Sequence, residues 1–146
     1  EPLVKEGQVR VTESARGIAV EINASVLFAP GQAELADASI RSLDAVAAVL
    51  AGVGNALEIE GHTDNTPIST VMFPSNWELS AARASRVVRL FAQTGVAPER
   101  MIAVGYGEYR SIDTNETPEG KARNRRVTVM ILPLGEAARE SESITP

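Results

Sequence analysis

Asp64 and Arg83 are the two residues of this 146-residue chain whose charges the surrounding pattern brings toward one place. Leu57 and Ile59 alternate with Glu58 and Glu60, the period of a half-buried strand. That strand runs through Gly61, His62 and Thr63 to deliver Asp64 at its C-terminal mouth. Arg83 stands seven residues after Asn76, roughly two helical turns, so the two share a side about 10 Å apart with Leu79 and Ser80 between them. Ordinary packing of strand and helix then gives one small pocket a carboxylate and a guanidinium. Such a pair suits a zwitterion, Asp64 taking an ammonium and Arg83 a carboxylate through its planar fork. The same spacing is met equally well by an internal salt bridge between the two.

The elements that must position this pair are readable from period and punctuation. Ser75 followed by Glu78 has capping-box spacing, and Pro74 before it fits an extended entry, so a helix starts at Asn76. Ala84, Val87, Val88 and Phe91 form its apolar stripe to about Thr94, with Gly95 as its stop. Upstream, Val9 and Val11 pair with Ile18, Val20 and Ile22 as a hairpin, and residues 23–31 read as a surface loop ending in Pro30 and Gly31. Ile40, Leu43, Ala47 and Leu50 mark a second amphipathic helix stopped near Gly52 and Gly54. Met101 to Val104 is a short strand closed by Gly105, Tyr106 and Gly107, where glycine suggests a close backbone approach. Thr117, Pro118 and Glu119 open a single helical turn, and Val127, Val129 and Ile131 alternate as a last strand. The result is an α+β sandwich with both main helices on one face of a mixed sheet, and its half-polar strands predict that the other face is wet.

Composition narrows the function. A net charge of −5 argues against a general nucleic-acid partner, which requires clustered Lys and Arg. The absence of cysteine removes disulfides and thiolate chemistry. The chain has no run of eighteen apolar residues and no initiator Met, and reads as a fragment whose membrane attachment, if it has one, precedes Glu1. Residues 1–8 read as a linker, 9–133 as one domain and 134–146 as a polar, disordered tail. Ser75, Ser80, Thr63, His62 and Asp64 raise a Ser-His-Asp hydrolase. However, His62 and Asp64 lie two apart on one strand face, and no glycine-flanked nucleophile elbow accompanies either serine. His62 reads instead as a strand-end residue bonded to neighbouring backbone. One histidine without cysteine gives no metal-ligand set.

Four motifs stand in order: Gly61-His62-Thr63-Asp64, Asn76-x-x-Leu79-Ser80-x-x-Arg83-Ala84, Gly105-Tyr106-Gly107-Glu108, and Asn115-x-Thr117-x-x-Gly120 followed by Arg123-Asn124-Arg125-Arg126-Val127. Together, over roughly residues 18–132, the chain resembles the OmpA-like peptidoglycan-binding domain. The longer loop before Phe73 to Ser80 further resembles the C-terminal domains of flagellar motor stator proteins of the MotB and MotD type. The resemblance implies a βαβαβ periplasmic module that grips the diaminopimelate of the cell-wall stem peptide without chemistry or cofactor. It implies binding by Asp64, Arg83, Asn76, Leu79, Thr63, Asn124 and Arg125, with the loop at Phe28 over the pocket. From the stator branch it implies a homodimer tied to the inner membrane by a segment absent from this chain.

A protein-interaction module that does not bind peptidoglycan directly is the rival reading. It rests on a basic face of Lys121, Arg123, Arg125 and Arg126 with Arg83, Arg86 and Arg89. Trp77 and Tyr106 can serve as ligand stackers or as packing residues.

Overall fold

The computed structural model describes residues 8–134. The linker and tail expected at 1–8 and 134–146 lie, apart from Gln8 and Leu134, outside the described residues. Strands β1 (Val9–Ser14) and β2 (Gly17–Asn23) form a hairpin, followed by helices α1 (Ala24–Leu27) and α2 (Asp37–Ala51). Strand β3 (Leu57–His62) then leads to α3 (Asn76–Thr94), a 3-10 turn at Pro98–Arg100, β4 (Met101–Gly105), α4 (Pro118–Asn124) and β5 (Arg126–Ile131). The strands lie in the order β1-β2-β5-β3-β4, parallel between β3 and β4 and antiparallel elsewhere.

The period-two alternation decides the faces. Register places Ile22 beside Val127, Val20 beside Val129, and Ile59 beside Val129 in turn, so one side of the sheet is continuous hydrocarbon. Leu43, Ala47 and Leu50 of α2 and Ala84, Val87 and Phe91 of α3 join that side in a single buried cluster. Ser75 caps α3 as its spacing predicts, its hydroxyl accepting from Trp77 N–H at 3.2 Å while the Glu78 carboxylate reaches back to it.

Two glycines set how closely α3 lies on the sheet. A Cβ at Gly61 would stand 2.0 Å from the Ser80 carbonyl oxygen, and one at Gly105 would stand 2.5 Å from the Ala81 nitrogen. Helix backbone therefore rests directly on strand backbone, which no larger residue permits.

Four sequence expectations need correction. Residues 23–31 are not a plain surface loop. Asn23 accepts from Ser25 N–H at 2.9 Å and starts α1, and Ala24, Leu27 and Phe28 are buried in the core. Their apolar side chains outweigh the turn signal of Pro30 and Gly31. The expected single turn at residue 117 is the two-turn helix α4, capped by Thr117, which accepts from Gly120 N–H at 3.0 Å.

The second face of the sheet is wet only toward its edges, at Arg10 and Thr12 of β1 and Ile102 of β4. Glu60, His62, Arg126 and Thr128 are buried on it, because the chain following β4 folds across them. Tyr106 stacks on His62 with ring centroids 5.0 Å apart, and Arg110 caps Tyr106 at 4.4 Å. Arg126 donates to the Arg110 carbonyl at 2.8 Å, and Arg16 reaches Glu58 at 3.2 Å. His62 thus pairs with the Glu60 carboxylate at 3.0 Å and not with backbone. Despite that carboxylate, burial first, and then Arg126 and Arg110, lower the His62 pKa to about 3.

Gly61→Ala should cost about 1–3 kcal/mol or more, as overpacking does when only backbone can yield, and a urea midpoint at the parental value would contradict the close contact. The His62 shift fixes a second outcome. Its folded pKa lies below the ordinary 6.5, so the unfolded chain binds the extra proton, and stability is full above pH 6.5 and declines as pH falls toward 3. Denaturation at pH 7 and pH 5 should show a loss of at most about 1.4 kcal/mol per pH unit from this group. His62→Gln should flatten that slope; an unchanged slope would assign it elsewhere.

Candidate binding site

Asp64 emerges where β3 gives way to loop, and the loop is bolted down on both sides. Thr63 donates its N–H to the Gly107 carbonyl at 2.9 Å and its hydroxyl to the Asp64 carbonyl at 2.8 Å. Asp64 is only 6% exposed; one carboxylate oxygen accepts from Thr66 N–H at 2.9 Å and the other from Arg125 Nη1 at 2.6 Å. Arg83, on the third turn of α3, is 5% exposed. Its Nε donates to the Gln32 carbonyl at 2.8 Å, its Nη2 to the Ala29 carbonyl at 3.3 Å, and its guanidinium lies 5.0 Å from the centroid of Phe28.

The two charges therefore occupy one site without being each other's hydrogen-bonded partner. An internal Asp64–Arg83 salt bridge, the alternative left open by spacing, is not formed; the ion pair is Asp64–Arg125. Burial, then repulsion from Arg125, lowers the Arg83 pKa to about 10 against the opposing pull of Asp64, so Arg83 stays cationic at neutral pH. Its Nη1 makes no hydrogen bond among the described residues and is left as a donor for an incoming anion.

Asp64, Arg83, Arg125, Thr63, Asn76 and Leu79 all line a cleft of about 670 Å³, and Phe28 forms part of its wall. Asn76 braces the rim, donating to the Thr66 carbonyl at 3.0 Å. Sequence reasoning missed Val26 of α1 and Pro67 and Ile68 of the 65–74 loop, which supply apolar lining. The signal available for them was an apolar residue or proline inside segments punctuated as loops.

Asn124 is not on the cleft. It is fully buried, accepts from Ile112 and Asp113 N–H at 2.9 and 3.0 Å, and donates to the Asp113 carbonyl and Asn115 Oδ1 at 2.9 and 2.8 Å. It ties the 112–115 loop to the end of α4 and thereby holds the neighbouring Arg125 in place.

The serines are likewise committed to structure. Ser80 Oγ donates to the Trp77 carbonyl at 3.1 Å and accepts from Gly107 N–H at 3.0 Å, Ser75 caps α3, and His62 faces Glu60. No Ser-His relay exists among the described residues, nor any group of three metal-ligating side chains. The expected basic face is dispersed: Arg123 pairs with Asp113 at 3.2 Å, Arg86 with Glu34 at 3.5 Å, and Arg126 is buried.

The cleft thus brings a buried carboxylate and a buried guanidinium together on a preformed frame. Residues 27–125 match the OmpA family, and the chain belongs to that family of non-enzymatic modules. Motility protein B of Bacillus subtilis is 34% identical over 134 residues, 90% of this chain and 51% of that protein. The peptidoglycan-binding protein ArfA of Mycobacterium tuberculosis is 36% identical over 107 residues, 73% of this chain and 32% of that protein. Among solved structures, the cell wall anchor of the T6SS from Pseudomonas aeruginosa superposes with a TM-score of 0.84 at 35% identity, covering 90% of this chain and 92% of that one. The chain spans about half the length of the Bacillus subtilis relatives that it matches, and less of ArfA.

The placement of Asn124 carries a test. Asn124→Ala strands four hydrogen-bonding groups and should lower stability by about 1–3 kcal/mol or more. A variant with parental melting that has lost ligand binding would return Asn124 to the ligand-contacting set.

Proposed function

We propose that the cleft binds the diaminopimelate of a peptidoglycan stem peptide and so anchors a cell-envelope assembly to the wall. The observation that carries this reading is a buried carboxylate and a buried guanidinium in one cleft, each fixed by other partners and so available to a ligand carrying both charges. Diaminopimelate presents a free ammonium and carboxylate on one carbon: the ammonium takes Asp64, beside or in place of Arg125, and the carboxylate takes Arg83. Leu79, Ile68 and Val26 offer hydrocarbon for the methylene chain. The names of the relatives, a peptidoglycan-binding protein and a cell wall anchor, support the same substrate. We read the module as periplasmic, since the wall lies there, and as part of a flagellar-type stator, dimeric and tied to the inner membrane through a segment preceding Glu1. No helix among the described residues is long and apolar enough to cross a membrane.

Retention on purified sacculi tests the reading. Asp64→Ala and Arg83→Ala should each abolish detectable retention, since truncating one partner of a buried charged contact costs about 2–5 kcal/mol, while circular dichroism stays parental. Arg83→Lys should recover little, because an ammonium does not reproduce the planar fork. Free diaminopimelate should displace the domain, and lysine-type stem peptides should compete poorly because they leave Arg83 without its carboxylate. Folded alanine variants that bind sacculi like the parent would refute the assignment.

A further inference from the structure

Trp77 and Tyr109 leave 51% and 65% of their surfaces exposed, yet their rings are stacked, with centroids 5.1 Å apart at an interplanar angle of 24°. Aromatic surface held rigid and left in water is a surface on which a flat apolar face can stack. The pair is supported from below by Gly107, where a Cβ would stand 3.6 Å from the indole and 3.7 Å from the Tyr109 ring. Gly107 in turn accepts from Thr63 N–H at 2.9 Å and donates to Ser80 Oγ at 3.0 Å. Thr63 lines the cleft, and so does Asn76, whose Cα precedes that of Trp77 by one peptide unit, about 3.8 Å. The aromatic platform lies outside the cleft but stands on the same frame.

Its chemistry selects the occupant. A stable second copy of the chain would have to bury about 800 Å² on each side, whereas an aromatic ring supplies about 150–250 Å² when wholly covered and these two are already partly covered. A pyranose ring fits the available surface: its axial C–H face is apolar and lies flat on an aromatic ring, while its equatorial hydroxyls remain in water.

We propose that Trp77 and Tyr109 form a saccharide subsite that takes a sugar of the glycan strand while the cleft holds the stem peptide. This rests on the reading of the cleft given above, and it extends recognition from the peptide to the sugar polymer that carries it.

Trp77 is the single tryptophan, so its emission reports on the platform directly. Titration of the domain with soluble N-acetylglucosamine tetramer should change that emission saturably, in Arg83→Ala as in the parent, whereas free diaminopimelate should leave it unchanged. Trp77→Ala and Tyr109→Ala should weaken sacculus retention about two- to tenfold with diaminopimelate competition and circular dichroism preserved, and Trp77→Phe should restore most of the loss. Unchanged emission together with parental retention in both alanine variants overturns the inference. Emission that follows protein concentration, with an altered sedimentation coefficient in the alanine variants, overturns it in favour of self-association. If Arg83→Ala still binds diaminopimelate while the tetramer titrates as stated, the cleft reading falls and the saccharide subsite stands.

Discussion

The contact of α3 backbone on β3 and β4, at Gly61 and Gly105, is the constraint on which the site depends. Because no side chain separates the two layers there, Ser80 comes within 3.0 Å of the Gly107 amide, and the same Gly107 holds Thr63 at the end of β3. The strand end and the first turns of the helix become one rigid piece. Asp64 leaves that piece one residue after Thr63, and Arg83 lies three residues beyond Ser80, almost one turn along the helix. A helix riding a layer of side chains would stand several ångströms farther off, and the two charges would no longer share a cleft.

Within that frame the electrostatics avoid self-cancellation. A direct Asp64–Arg83 pair would satisfy both residues and leave the cleft with little to offer a charged ligand. Instead Arg83 is held by the carbonyls of Ala29 and Gln32 and by the face of Phe28, all contributed by the segment between β2 and α2. Asp64 is held by Arg125 from beyond α4. Neither buried group is left without a polar partner, which burial would make costly. Each is also fixed in direction before any ligand arrives, so ordering cost falls on the protein at folding and not at binding. The short helix α1 and the fully satisfied Asn124 belong to this arrangement as supports.

What the sequence made legible was whatever depends on neighbours in the chain. Alternation at Leu57 and Ile59, the Ser75 cap, the stripe from Ala84 to Phe91 and the Gly95 stop are local signals, and the elements appear where those signals place them. The convergence of Asp64 and Arg83 was legible too, from a strand end and a two-turn spacing. Their partners were not. Arg125 is 61 residues from Asp64, and the carbonyls on Arg83 come from a segment more than 50 residues away, so spacing carried no trace of either bond. The polar face of β3 failed for the same reason: alternation tells which residues share a face, but only the distant Tyr106 and Arg110 decide whether water reaches it. The family resemblance set Asn124 among the binding residues, and only the closing of the 112–115 loop around it turns it inward.

The Asp64–Arg125 pair also bears on how tightly such a cleft can hold. An ammonium arriving at Asp64 must share or replace a 2.6 Å contact already made by a guanidinium that is itself partly exposed. On the proposed reading the gain is the difference between two charge-assisted contacts and not the whole of one, which keeps single-site affinity modest. On the reading that the ligand is a repeating polymer, modest affinity is sufficient. If the module also works as one copy of an assembly, as proposed, then once one cleft is engaged its neighbours meet further stem peptides at the effective concentration set by their tether, and avidity grows without any new contact. Exchange at each cleft can then remain fast while the assembly as a whole stays put. On that reading a tighter preformed site would slow exchange at each cleft and add little to an attachment secured by number.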